Sequence, residues 1–168
     1  FTAAWDEEVF INDVQNGFAS DPITPVVTGL PFKRTDQVRP PVDFDKAAEY
    51  FKKAFGGKLW EVGFKMDLLY NTGNDMRQFG AKLLAENVMF FIGWAPDYPD
   101  PDNYVNPYMH SEGHYSHQCS YSNPEADRLI EEAAVSLDPE VRKANYYRLQ
   151  EIWVEDAPGI MNSQPLQR

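Results

Sequence analysis

The chain has 168 residues, 43% of them hydrophobic, which is enough for one domain with a sizeable core or one lobe of a larger protein. Its formal net charge of −11 repels phosphate backbones and anionic lipid surfaces, so nucleic-acid binding and attachment to a membrane surface are disfavoured. The single cysteine, Cys119, excludes an intramolecular disulfide and a four-cysteine zinc site, and no apolar run reaches membrane-spanning length.

The first predicted element is a helix from Asp6 to Gly17. Asp6 caps it, Glu7 and Glu8 suit the first turn, Val9, Phe10, Asp13 and Val14 fall at helical spacing, and Gly17 stops it. From Phe18 to Val42 the prolines at 22, 25, 31, 40 and 41 predict an irregular surface connection. Asp43 caps the next helix, whose apolar face is Tyr50, Phe51, Ala54 and Phe55, and Gly56-Gly57 ends it. Leu59 to Tyr70 reads as a strand, Asn71 to Asn74 as a turn, Asp75 to Val88 as an amphipathic helix and Met89 to Gly93 as a short buried strand. Strand, helix, strand is the order of a parallel α/β unit.

The four prolines between Ala95 and Pro107 predict a loop. Ser111 to Ser122 is polar and glycine-bearing and reads as surface loop. Two helices follow, Asn123 to Leu137 and Pro139 to Asp156, with Asn123 and Asp138 as caps and proline in each first turn, where a missing N–H costs nothing. One stripe is Leu129, Ile130 and Ala133, and another is Tyr146, Leu149, Ile152 and Trp153. Both are expected in the core, while Glu131, Glu132, Arg142 and Lys143 are expected on a solvated face. The tail from Ala157 is extended. The chain opens at Phe1 in ordinary sequence and reads as a mature, trimmed or partial chain.

Three segments carry a resemblance when taken together. They are Gly93-Trp94-Ala95-Pro96-Asp97-Tyr98-Pro99-Asp100-Pro101-Asp102-Asn103-Tyr104, then Tyr121-Ser122-Asn123-Pro124-Glu125-Ala126-Asp127-Arg128-Leu129-Ile130, then Glu155-Asp156-Ala157-Pro158 after an amphipathic helix. In this order the chain resembles the C-terminal part of the peptide, dipeptide and nickel solute-binding proteins of ABC importers. The resemblance implies an α/β, type II periplasmic-binding-protein-like fold, mainly its C-terminal lobe. Residues 1–158 would form that lobe, and 159–168 would cross back to an N-terminal lobe. In that family a strand, a helix and a loop intervene where Val88 here meets Met89, so the unit is shortened or residues are omitted near 88–89.

The resemblance also implies a role: capture of short peptides between two lobes and delivery to the permease of an ABC importer, by an extracytoplasmic, monomeric carrier without cofactor or catalytic residues. A nickel or metal-chelate carrier is the alternative, and a hydrolase using the Asp-rich loop a weaker one. Asp97 would face the ligand's α-amino group, since a carboxylate opening onto a cleft pairs with an ammonium; by its own surroundings it equally suits a turn cap. Trp94 would be a hydrophobic wall or a core residue. Tyr98 and Asn103 would shape the pocket or only the loop. Asp97, Asp100 and Asp102 suit a hard cation by spacing, but Pro99 and Pro101 oppose a ligating loop. His110, His114 and His117 are of the right type for nickel or zinc, yet sit in a stretch that reads as solvated loop. No metal site is therefore assigned, and no nucleophile elbow, phosphate loop or dinucleotide fingerprint is present.

Overall fold

Short polar side chains start four of the helices where the sequence places them. The computed structural model describes residues 2–63, Gly73 and residues 93–165, apart from the Leu59 side chain. The chain divides into two compact units, one of Phe1–Ser20, Arg39–Gly93 and Pro165–Arg168, the other of Asp21–Val38 and Trp94–Gln164.

In the first unit Asp6 accepts a hydrogen bond from the Val9 N–H at 3.0 Å and opens α1 (Glu7–Val9). The helix widens into a π-helical turn that ends at Val14, and the chain then turns through Asn16 and Gly17, both at positive φ. Trp5 packs on Phe10 with ring centroids 5.3 Å apart. The Trp5 indole N–H donates to the buried Glu7 carboxylate, which lies 3.5 Å from Arg39. After β1 (Ala19–Ser20) and the proline-rich connection, Asp43 caps α2 (Phe44–Lys53) by accepting from the Lys46 N–H at 2.8 Å.

The apolar face of α2 is not buried as a stripe: Ala47 is buried, whereas Tyr50 is 56% and Phe55 80% exposed. Helical spacing says which residues share a face, not what lies opposite them, and Phe55 leaves the helix at a kink where it, Gly56 and Gly57 all have positive φ. The predicted strand from Leu59 begins instead as α3 (Lys58–Val62). Leu59, Trp60 and Val62 do not alternate, and the Leu59 to Val62 spacing fits a helical turn. Gly73 forms a turn with φ +82°. The rest of that predicted strand and turn, the Asp75 to Val88 helix, the Met89–Phe90–Phe91–Ile92 strand and the junction near 88–89 lie outside the described residues.

The second unit is built on four helices: α4 (Asp102–Met109), α5 (His114–Gln118), α6 (Pro124–Val135) and α7 (Pro139–Asp156). Asn123 caps α6 by accepting from the Glu125 and Ala126 N–H groups at 2.9 and 3.3 Å, and Asp138 caps α7 through Glu140 at 2.9 Å. Both predicted stripes are buried against each other, joined by Val105 and Met109 of α4 and by Val26. Each leucine, isoleucine, valine or methionine among them contributes about 1.5–3 kcal/mol by leaving water. The proline-rich segment is held by one buried carboxamide. Gln150 accepts from Thr24 Oγ1 at 3.3 Å and the Arg34 N–H at 3.0 Å, and donates to the Phe32 and Tyr146 carbonyls at 2.9 Å. Arg34 adds ion pairs to Asp36 and Glu151.

Two predicted loops contain helices. The loop read over Ala95 to Pro107 stops at Pro101, because Pro99 and Pro101 precede the first turn of α4, where proline is tolerated. Pro107 lies in its last turn, so only the bond to the Asn103 carbonyl is lost. In the 111–122 stretch, His114 to Gln118 form α5. Buried Gly113 precedes it, and a Cβ there would run into the Asn106 carbonyl and stand 2.7 Å from Ser116 Oγ.

α7 ends at Ala157, in the left-handed conformation with its N–H bonded to the Trp153 carbonyl at 3.0 Å. Asp156 accepts at one oxygen from both Tyr121 Oη and Asn123 Nδ2, each at 2.7 Å. Burial and this carboxylate together hold the Tyr121 phenol well above the ordinary tyrosine range. β2 is the two-residue strand Gln164–Pro165. No described helix is long and apolar enough to cross a membrane.

Candidate functional site

The Gly93–Pro101 segment and the first turn of α4 bring Trp94, Asp97, Tyr98 and Asn103 together. Asn103 lies in the helix's first turn and is only 6% exposed. Its Oδ1 accepts from the Trp94 indole N–H at 2.9 Å and from the Asp97 backbone N–H at 3.2 Å. Tyr98 Oη donates to Asp102 Oδ2 at 3.0 Å. The Tyr98 phenol is raised, by burial first and then by the Asp102 carboxylate, against a lowering hydrogen bond from Asn103. Trp94 and Asp97 thus meet at the Asn103 carboxamide, with Tyr98 tied to the neighbouring Asp102.

The loop is fastened at its far end as well. Asp100 receives Arg142 Nη2 at 2.7 and 2.6 Å on its two oxygens and Tyr146 Oη at 3.4 Å, and its Oδ1 also accepts from the Asp102 N–H at 3.0 Å. Arg142 lies over the Phe32 and Tyr146 rings at 5.9 and 5.5 Å. Burial pulls its pKa down, but bonds to Tyr146 and Asp100 outweigh this and leave it raised. Arg142 is therefore not part of a solvated face, as its place in the sequence suggests. It joins α7 to the loop, while Glu131, Glu132 and Lys143 are exposed as expected.

An aromatic chain supports the indole. Trp94 meets Tyr115 edge to face (5.8 Å, 86°), Tyr115 stacks on Tyr108 (4.9 Å, 28°), and Tyr108 meets the buried Trp153 edge-on (6.3 Å, 84°). Such pairs fix ring orientation as well as burying area. Asp97 differs from its neighbours: its side chain is exposed and, among the described residues, has no hydrogen-bond or ion-pair partner. The backbone here is committed and the carboxylate is free.

The remaining candidates disperse. Asp100 is occupied by Arg142, which opposes a cation shared among Asp97, Asp100 and Asp102. His110 faces Glu131 at 3.4 Å, and His114 packs on Tyr115 and lies 3.4 Å from Gln118. Among the described residues no group of three or more His, Cys, Asp or Glu is placed to hold a metal ion. The Cys119 thiol is pushed up by desolvation, away from a reactive thiolate. Asp100–Arg142, Tyr108 and Tyr115 had no local signal in the sequence, because each acts across the fold.

In fold the chain matches part of solved periplasmic binding proteins of ABC transporters, of the α/β, type II class that the resemblance implied. It superposes on the ABC transporter-associated periplasmic binding protein DppA from Helicobacter pylori, solved in complex with peptide STSA, with a TM-score of 0.77 and 23% identity, covering 98% of this chain and 37% of that one. A nickel ABC transporter protein from Bacillus halodurans matches with a TM-score of 0.69 and 16% identity, covering 98% of this chain and 41% of that one. In sequence, the chain is 32% identical over 69 residues to the probable D,D-dipeptide-binding periplasmic protein DdpA of Escherichia coli (strain K12), across 40% of this chain and 13% of that protein. The chain thus spans a minor part of the length of these relatives. No protein-family model matches it.

Proposed function

We propose that this chain is the C-terminal part of the solute-binding component of an ABC importer, and that it captures short peptides by their free α-amino group. The observation that carries the reading is the exposed Asp97 carboxylate, without a hydrogen-bond or ion-pair partner among the described residues, three residues from an indole held by Asn103. A carboxylate so placed offers a charge-assisted bond to an ammonium, and Trp94 offers an apolar wall for the first residue of the ligand. The peptide STSA bound by DppA, and the D,D-dipeptides in the name of DdpA, are ligands of this class.

The carrier performs no chemistry: it binds between two lobes, closes, and presents the ligand to the permease. In this reading residues 1–158 belong to the C-terminal lobe, 159–168 return toward the other lobe, and the protein works as a monomer outside the cytoplasm.

The test is affinity for tri-alanine and for N-acetyl-tri-alanine in the whole protein that carries this chain. Asp97→Asn is expected to weaken free-amine binding by about 2–5 kcal/mol, the range for removing one partner of a desolvated charge pair. The acetylated peptide should show little of that loss. Equal loss for both would remove Asp97 from the role. The likeness to the nickel protein keeps metal-chelate carriage as a second reading. There, His114→Ala would abolish nickel binding, and Asp97→Asn would leave it intact.

A further inference from the structure

We infer that Asn103 is a positioning residue, not a ligand contact, and that its single side-chain oxygen sets Trp94 and Asp97 in one register. This rests on the peptide-binding reading of Asp97, but its physical content is separate.

The carboxamide is buried, and Oδ1 already accepts two hydrogen bonds, from the Trp94 indole N–H and the Asp97 backbone N–H. A carbonyl oxygen has two lone pairs, so nothing remains for a ligand at that atom. Asn103 therefore reaches two residues of the loop, Trp94 and Asp97, while being hidden itself. Its own position is fixed by the first turn of α4, with its backbone N–H bonded to the Asp100 carbonyl at 3.1 Å. Because one atom holds both donors, the indole plane and the Asp97 backbone cannot shift independently while both bonds are kept. The lateral support is Tyr115, edge-on to the indole. A carboxylate held in place before the ligand arrives loses less freedom on binding than one on a wandering loop.

The experiment uses the whole protein carrying this chain and compares Asn103→Leu with Asn103→Asp. The aspartate keeps an oxygen able to accept both donors, and its charge falls in the first turn of a helix, where the helix favours it. Two readouts are taken. One is the affinity for tri-alanine and N-acetyl-tri-alanine. The other is the Trp94 indole N–H resonance, identified by its loss in Trp94→Phe.

Asn103→Leu is expected to move that resonance upfield, speed its exchange, and cut the preference for the free amine by about tenfold or more. Asn103→Asp should keep the resonance and hold the preference within about threefold of the parent. Unchanged resonance in Asn103→Leu would overturn the inference. So would a loss equal for both peptides, which is what a direct ligand contact gives. If the parent protein shows no free-amine preference, the Asp97 reading fails, and Asn103 is then judged by the indole resonance, retained in Asp and lost in Leu. If Leu unfolds the protein, Asn103→Asp still decides: loss of the resonance there overturns the inference.

Discussion

Removing Arg142 should loosen the loop that bears Asp97 although the two residues do not touch. Arg142 and Asp100 are about three-quarters buried, with side-chain exposures of 24% and 28%, and meet at 2.6 Å. An exposed pair of this kind contributes about 0–1 kcal/mol, and breaking a fully buried one costs about 3–5 kcal/mol. This pair falls between, so Arg142→Met is expected to cost about 2 kcal/mol, including weakened contact with the Phe32 and Tyr146 rings. The discriminating assay is a double-mutant cycle of Arg142→Met with Asp100→Asn, followed by thermal or urea unfolding. Coupling of about 1–2 kcal/mol is expected, largely retained in about 1 M salt because the pair is shielded from water. Coupling below about 0.3 kcal/mol, or coupling that salt abolishes, would refute the reasoning, since additivity at that level marks independent sites.

Two further outcomes follow from geometry already described. Gly113→Ala drives a methyl into backbone carbonyls that a helix turn cannot move, and should destabilise by about 1–3 kcal/mol in urea unfolding, with Gly113→Ser no better. Burial pushes the Tyr146 phenol up to about 12, above the unfolded tyrosine value of about 10. Its contribution is therefore complete below the unfolded value and is lost as pH rises through the folded one. Tyr146→Phe should show a shallower fall in stability between those limits, and an identical alkaline profile would refute the assignment.

Local chemistry was legible in the sequence, and encounters between distant residues were not. Asp6, Asp43, Asn123 and Asp138 each cap a helix within three residues of themselves, so a short window contains both donor and acceptor. The two buried stripes of α6 and α7 were equally readable, because helical period fixes a face. Arg142 was misjudged because Asp100 lies 42 residues away and nothing beside Arg142 announces it. α4 was hidden by counting prolines without weighing their position: Pro99 and Pro101 introduce a helix, and Pro107 sits where little is lost. The exposed Tyr50 and Phe55 teach the converse, that an apolar stripe needs an opposite surface before it becomes core. At the site, the composition of the Trp94 to Asn103 segment was visible, but the convergence of Trp94 and Asp97 on one carboxamide was not, since Asn103 is unremarkable by type.

Tyr121, Asn123 and Asp156 come from two sequence signatures more than 30 residues apart, yet meet at a single carboxylate oxygen. A negative charge in the last turn of a helix works against the helix dipole, so Asp156 is tolerable there because the first signature supplies two donors. The two signatures therefore form one inheritable unit. A recombinant spliced between α6 and α7 of diverged relatives would separate the charge from its donors, whereas a splice before Tyr121 or after Pro158 would transfer the unit whole.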